Sequence, residues 1–440
     1  MNRLRAIAEA LRGNLFFIPA VLLLVAILLA ALTTWIDSQL REAGVEPSPF
    51  LVTTVDGARA VLGTVASATI AFAGVSISIS LLLIQLASSQ FSPRVLHGFF
   101  RDPFTKWVTG IVIGTFAYCL LTLRVVRVAP GDGGVALVPH ISVLVATVLG
   151  ITSIVAVVAL INHSARSMQV GEIIRRIATE GHEQIERLSV DQGSALTESS
   201  TVAPTDGESD PGLVAEAGDD GWVQAIDPDA ILTAIPAETV VTLSAFVGGF
   251  SARGTPLGAV RPVPADPEPV LQAIRRAVLL GRSRTTQQDI GFAFRQLVDI
   301  ALRALSPGIN DPTTAQESLV HIGSLLRGLL SRDLPPAVIE GSQGRRLERP
   351  RDPTHDDFVN VAFDQIRVAG ARQPSVCIAL LEVIGDLVAE LERSENRNGL
   401  AALRRQARLV IAGVEASDAL TEDKERVREV ARVRGLVTFA

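Results

Sequence analysis

Ser306, Asp311 and His321 lie close together in the chain and supply the residue types of a nucleophile, an orienting carboxylate and a general base. Acyl transfer would also need a strained strand-to-helix elbow of the form G-x-S-x-G, and no serine here has those neighbours. Nearness of these three is equally what a capped turn between two helices produces. The six histidines, at 97, 140, 163, 182, 321 and 355, show neither H-E-x-x-H nor another ligand spacing, so no metal site is expected. His97 and His163 fall at the expected inner membrane interface, where an imidazole can titrate near neutral pH, although ordinary interfacial histidines look the same. No Walker A loop and no G-x-G-x-x-G after a strand is present, so nucleotide-driven pumping by this chain is not expected. The residues therefore predict neither an enzyme nor a cofactor.

A second constellation is polar but uncharged. Between Arg59 and Arg94 the chain carries no charge, yet Ser, Thr and Gln recur throughout. At 100° per residue, Thr64, Ser67, Ala71, Gly74, Ser78, Gln85, Ser89 and Ser92 share an arc of about 80°, while Leu81 and Leu82 interrupt the row. Two readings follow. Hydroxyls and an amide on one side can line a watery path, their dipoles replacing part of an ion's hydration shell. Small residues on one side also let helices approach closely in lipid, with Ser and Thr bonding across the seam. Gln85 fits packing least, because its amide is costly in lipid unless satisfied. Arg94, Arg101 and Lys106 follow the row and would place positive charge at its inner mouth.

A third lies in DIGFAFRQLVDIALRALSPGINDPTTAQESLVHI, residues 289–322, which reads as helix, tight turn, helix. Phe292, Leu297, Ile300, Ala301 and Leu305 form its apolar side, and Arg295, Asp299 and Arg303 repeat at i, i+4. Ser306-Pro307-Gly308 stops the first helix, Asn310 sits in the turn, and Asp311 is a natural N-cap with Pro312 at the first helical position. Free N–H groups there, with Arg295 or Arg303, can hold an anion or contact a subunit. The plainer reading is that capping and an Arg–Asp bond merely fix the helix pair.

The elements that must position these groups belong to a membrane protein. Of 440 residues, 48% are hydrophobic and only 20% charged, with a mean hydropathy of +0.36. A net charge of −6 gives no reason to expect nucleic acid as a partner. Cys119 and Cys377 cannot form a disulfide framework. After a basic start (1–14, with Arg3, Arg5 and Arg12), spans are expected at about 15–36, 60–90, 107–123 and 141–162. The first apolar run is too long for a signal peptide and lacks an A-x-A-like site. The second helix, roughly 45 Å long at 1.5 Å per residue, exceeds the hydrocarbon core. Gly110-x-x-x-Gly114 in the third is a close-packing candidate. Basic residues gather before span one, between spans two and three, and after span four. The asymmetry is moderate, since Arg41, Arg59, Arg124 and Arg127 lie in the other connections. The positive-inside rule favours both termini in the cytoplasm, and an amino-terminal-out arrangement of the same spans is the competitor.

Beyond the spans, 163–188 is expected to prolong the fourth helix, 189–220 to be a disordered acidic insertion, and 221–262 to form a small β module. Two stretches, 269–331 and 358–434, read as a helical domain, with 332–357 as a flexible loop. The fold class expected is a mostly α membrane protein: four transmembrane helices, then a cytoplasmic α+β domain with a β-sandwich-like module and a helical unit. The β module resembles lipoyl- and biotinyl-type domains, in which a hairpin presents a modifiable lysine, but it contains no lysine.

RALSPGINDPTTA, QLASSQFSPRVL (85–96) and the GTPL turn (254–257) together resemble the bacterial membrane family known as domain of unknown function 2254, over nearly the whole chain outside the acidic insertion. The resemblance implies four spans plus a cytoplasmic domain; it implies no activity and no catalytic residue. The expected function is a channel- or transporter-like homo-oligomer, in which copies of the second span surround a central path for an inorganic ion or small solute. Leu81 or Leu82 would form its gate. The rival is a non-conducting scaffold or sensor that binds a cytoplasmic partner.

Overall fold

The computed structural model describes residues 16–44, 54–90, 103–126, 138–167, 169–192, 212–285 and 288–436, with backbone alone at 83, 84, 86–90, 167 and 189–192. It is mostly helical, and the chain divides into two units, residues 1–169 and 170–440.

The first unit holds four helices long and apolar enough to cross a membrane: α1 (Phe17–Glu42), α2 (Val55–Gln90), α3 (Pro103–Leu123) and α4 (His140–Ser167). Helix α3 packs against the other three, and small residues explain how it fits there. A Cβ on Gly110 would lie 3.1 Å from the Cα of Pro19, and one on Gly114 would lie 3.2 Å from the Cβ of Ala26. The glycines thus let α1 approach backbone to backbone. Leu62, Ala66, Tyr118, Cys119 and Ala146 fill the bundle interior. Leu24, Leu28, Val148, Ile151, Val155 and Val158 remain exposed, as lipid-facing side chains would be.

The second unit opens with α5 (Val170–Gln192). The expected prolongation of span four over 163–188 is instead a separate helix, since α4 ends at Ser167. Its apolar stripe explains the break: Ile173, Ile174, Ile177 and Ile185 are buried against α8 (Ile290–Ala304) and α9 (Pro312–Leu330). Of the acidic insertion, 193–211 lies outside the described residues, and Leu213–Glu216 forms strand β1.

Strands β2 (Gly221–Ile226), β3 (Val240–Leu243), β4 (Phe250–Ser251), β5 (Pro256–Arg261) and β6 (Val278–Gly281) follow, with α6 (Pro228–Ala234) and α7 (Pro267–Ala277) between them. The stretch 332–357, expected to be a flexible loop, contributes β7 (Val338–Glu340) and β8 (Arg346–Glu348). Three-residue strands carry too little alternation to be legible in a sequence; here β8 forms by pairing with β3, and β7 by pairing with β8. One sheet runs β1-β5-β3-β8-β7 and the other β4-β2-β6. Val241 is the hinge of the larger sheet, opposite Val260 on one side and Leu347 on the other. All three are fully buried beside Ile231, Leu243 and Ile274.

The helical part comprises α8, α9, α10 (His355–Gly370), α11 (Pro374–Arg393), α12 (Leu400–Glu415) and α13 (Thr421–Val433), around Phe294, Leu319, Leu325, Phe363, Ile384 and Leu403. Asp289, Asp311 and Thr354 cap α8, α9 and α10 with side-chain oxygens, which is why these helices start where they do.

Candidate functional site

Helix α2 has two faces. Ala58, Leu62, Ala66, Thr69, Ala73 and Ser76 are buried in the bundle. Thr64, Ser67, Ala71, Gly74, Ser78 and Gln85 are exposed, with Leu81 and Leu82 beside them. At 100° per residue the centres of the two sets lie about 160° apart. The polar row therefore points away from its own bundle. A Cβ on Gly63 or Gly74 would meet nothing within 4 Å, unlike Gly110, Gly114 and Gly150. The Ser78 hydroxyl donates to the Gly74 carbonyl at 2.9 Å, and Ser80 does the same to Ser76 at 2.8 Å.

The rest of the expected path divides. Ser89 lies in α2, but its side chain is outside the described residues, as are Arg94 and Arg101 entirely. Lys106, expected at an aqueous inner mouth, is only 1% exposed and sits inside the bundle. Its register is the reason: 106, 110 and 114 share one stripe of α3, and that stripe faces α1.

Polar ties inside the bundle escaped the sequence reading. The Asp37 carboxylate accepts hydrogen bonds from the N–H groups of Ile141 (2.9 Å) and Ser142 (3.0 Å) and from the Ser142 hydroxyl (2.6 Å). It therefore caps α4 from the last turns of α1. The Tyr118 hydroxyl donates to the Ser142 carbonyl (3.1 Å) and pairs with Thr33 (2.8 Å), joining α1, α3 and α4. Ser153 donates to Thr115 at 3.1 Å. A lone acid just past an apolar run was the available signal for Asp37, but its partners are more than 100 residues away.

In the second unit the Asp311 turn is closed on itself. Asp311 accepts from the N–H (3.1 Å) and hydroxyl (2.6 Å) of Thr314, which holds its carboxyl below the usual carboxylate range. Asn310, at φ +49°, accepts from the Gln373 amide at 3.1 Å, fastening the turn to α11. The Ser306 hydroxyl donates to the Arg303 carbonyl at 2.7 Å. Ser306 and Asp311 are thus committed to local turn geometry. Arg295 and Asp299 are half-buried along α8, whereas Arg303 is exposed beside the turn.

The most enclosed ion pair among the described residues lies elsewhere. Arg284 makes a bidentate bond to Asp289 (2.7 and 2.9 Å), and its guanidinium sits over the rings of Trp222 (5.7 Å) and Phe292 (5.5 Å). Asp289 also caps α8 through the Phe292 N–H. Burial pushes its carboxyl above the usual range, against the pull of Arg284 and that N–H. A Cβ on Gly248 (φ +85°) would fall 2.6 Å from Asp289 and 2.7 Å from Arg284. The pair therefore clamps the β module to the helical part. His182 on α5 is within 3.1 Å of the Ser324 hydroxyl, and burial lowers its pKa. Among the described residues, no three His, Cys, Asp or Glu side chains gather as metal ligands would.

Comparison with known proteins adds a family. Residues 12–386 match the family model described as "Predicted membrane protein (DUF2254)". Uncharacterized protein Rv1290c of Mycobacterium tuberculosis is 30% identical over 434 residues, covering 97% of this chain and 81% of the relative. Uncharacterized protein Mb1321c of Mycobacterium bovis matches with the same identity and coverage. No solved structure matches the chain. With four apolar helices of spanning length and a family match over most of its residues, the chain belongs to the DUF2254 family of membrane proteins.

Proposed function

We propose that this protein is a channel- or transporter-like homo-oligomer of the bacterial inner membrane, with both termini cytoplasmic and a polar path lined by α2 from each copy. One observation carries the reading. The row of Thr64, Ser67, Gly74, Ser78 and Gln85 lies opposite the face that α2 buries in its own bundle. A path along this row needs a neighbouring copy to close it, and closed point-group symmetry supplies a ring of identical dipoles. Leu81 and Leu82 are about 60% exposed, and in such a ring they would form an apolar constriction beside the row. The row carries no acid, so a strongly cation-selective filter is not expected, and Arg94 and Arg101 would favour small anions at the inner end. The cytoplasmic unit serves assembly and sensing, without catalysis.

The competing reading is a silent scaffold or sensor, and one feature favours it. The Ser78 hydroxyl is satisfied by the Gly74 carbonyl, so it needs no water and tolerates a dry neighbour. A single experiment separates the two: light scattering of the protein in nanodiscs, paired with currents and anion flux after reconstitution. An oligomer whose conductance changes with Ser78→Leu and Gln85→Ala supports the path. A monomer with silent bilayers, or conductance indifferent to both substitutions, removes α2 from it.

A further inference from the structure

In the second unit, a half-open cleft of about 340 Å³ lies where the two sheets part, between the end of β3, strand β4 and the GTPL turn. It is small, at the lower end of ligand pockets. Of its nine lining residues Arg351 alone is charged. Arg351 and its neighbour Arg349 differ in what they do. Arg349 is tied down by Asp352 (3.1 Å) and the Pro336 carbonyl (2.7 Å). Arg351 is exposed, and its hydrogen bond among the described residues is a long one, 3.5 Å, to the Ser244 carbonyl.

Phe246 and Phe250 supply the apolar surface, and Ser244, Ser251 and Thr255 supply hydroxyls. Phe250 is 57% exposed, which leaves part of its ring open to a ligand. The wall behind it is firmly built. Phe250 rests edge-on against Trp222, with centroids 5.4 Å apart. A Cβ on Gly249 would lie 2.9 Å from the Phe246 ring, so the bare backbone is what lets that ring sit so close. The adjoining Gly248 backs onto the Arg284–Asp289 clamp.

We propose that this cleft binds a small aromatic carboxylate, its anion held by Arg351 and its ring laid on Phe246 and Phe250. A guanidinium presents a planar fork that matches a carboxylate, and the absence of any acid among the lining residues leaves nothing to repel it. The site is independent of whether the membrane unit conducts.

Trp222 touches Phe250 and so reports on the cleft. The full chain has three tryptophans. In a Trp35→Phe/Trp107→Phe background, titration with phenylacetate and with benzoate is expected to change Trp222 fluorescence saturably. Benzylamine, of similar shape and opposite charge, is expected to leave it unchanged, and inorganic phosphate to bind far more weakly. Arg351→Gln is expected to weaken phenylacetate binding at least tenfold without moving the thermal unfolding midpoint; Arg351→Lys retains part of it. A flat titration into the millimolar range overturns the proposal. So does equal binding of benzylamine, equal binding of phosphate, or unchanged affinity in Arg351→Gln.

Discussion

Replacing Asp37 by alanine tests the reasoning about the membrane unit most directly. The substitution removes an acceptor that takes three hydrogen bonds, two from the first N–H groups of α4 and one from the Ser142 hydroxyl. Losing an N-cap costs about 0.5–2 kcal/mol, and hydrogen bonds to a charged group contribute about 1.5–3 kcal/mol each where water cannot replace them. Asp37 is half-buried, so water recovers part of this, and a net loss of about 2–4 kcal/mol is expected. Asp37→Asn keeps one acceptor oxygen and should lose only about 1 kcal/mol. Ser142→Ala removes one bond of the three and should not add to Asp37→Ala, because the two share it. The measurement is reversible unfolding in mixed detergent micelles, followed by helical circular dichroism. Equal losses for Asp37→Ala and Asp37→Asn, or a loss below about 0.5 kcal/mol for both, would show that the carboxylate does not hold the start of α4.

Three further outcomes are expected. Gly110→Val pushes a side chain against the Leu22 methyl and the Pro19 backbone, and should destabilise the α1–α3 pair by about 1–3 kcal/mol in the same micelle assay. Gly248→Ala combines a φ of +85° with collision into a buried ion pair; a loss above about 2 kcal/mol is expected in the thermal unfolding of the second unit. His182 has its pKa lowered from 6.5 by burial, so folding disfavours the imidazolium. Its contribution is therefore complete above pH 6.5 and lost as pH falls through the folded-state value. Protection factors of the α5 amides, corrected for the intrinsic pH dependence of exchange, should fall on acidification through that range, and His182→Gln should flatten this dependence.

Helix-scale features were legible in the sequence because each is written within one window. The four apolar runs, the Gly110-x-x-x-Gly114 contact and the Asp311 cap all rest on spacing within a few turns of one helix, which backbone geometry alone enforces. The polar row of α2 was legible for the same reason. What it faces was not, since a row of small polar residues packs inward or outward with the same periodicity. Only the burial of Ala58, Leu62, Ala66 and Ala73 on the opposite side turned it away from its own bundle.

Groups whose partners lie far along the chain were decided by tertiary structure. Lys106 has the sequence context of an interfacial cation, yet α3's stripe carries it inside. Asp37 reads as a loop acid and becomes the cap of a helix about 100 residues on. Strand β8 exists because β3 offers it an edge, and β7 because β8 offers the next, although neither three-residue segment carries a pattern of its own. By itself the sequence determined that four apolar helices exist and where the helix pair at the Asp311 turn stops and restarts, because those depend on neighbours within a turn or two. Which face is shared, which charge is enclosed and which short segment becomes a strand depended on partners brought close only when the chain closed on itself.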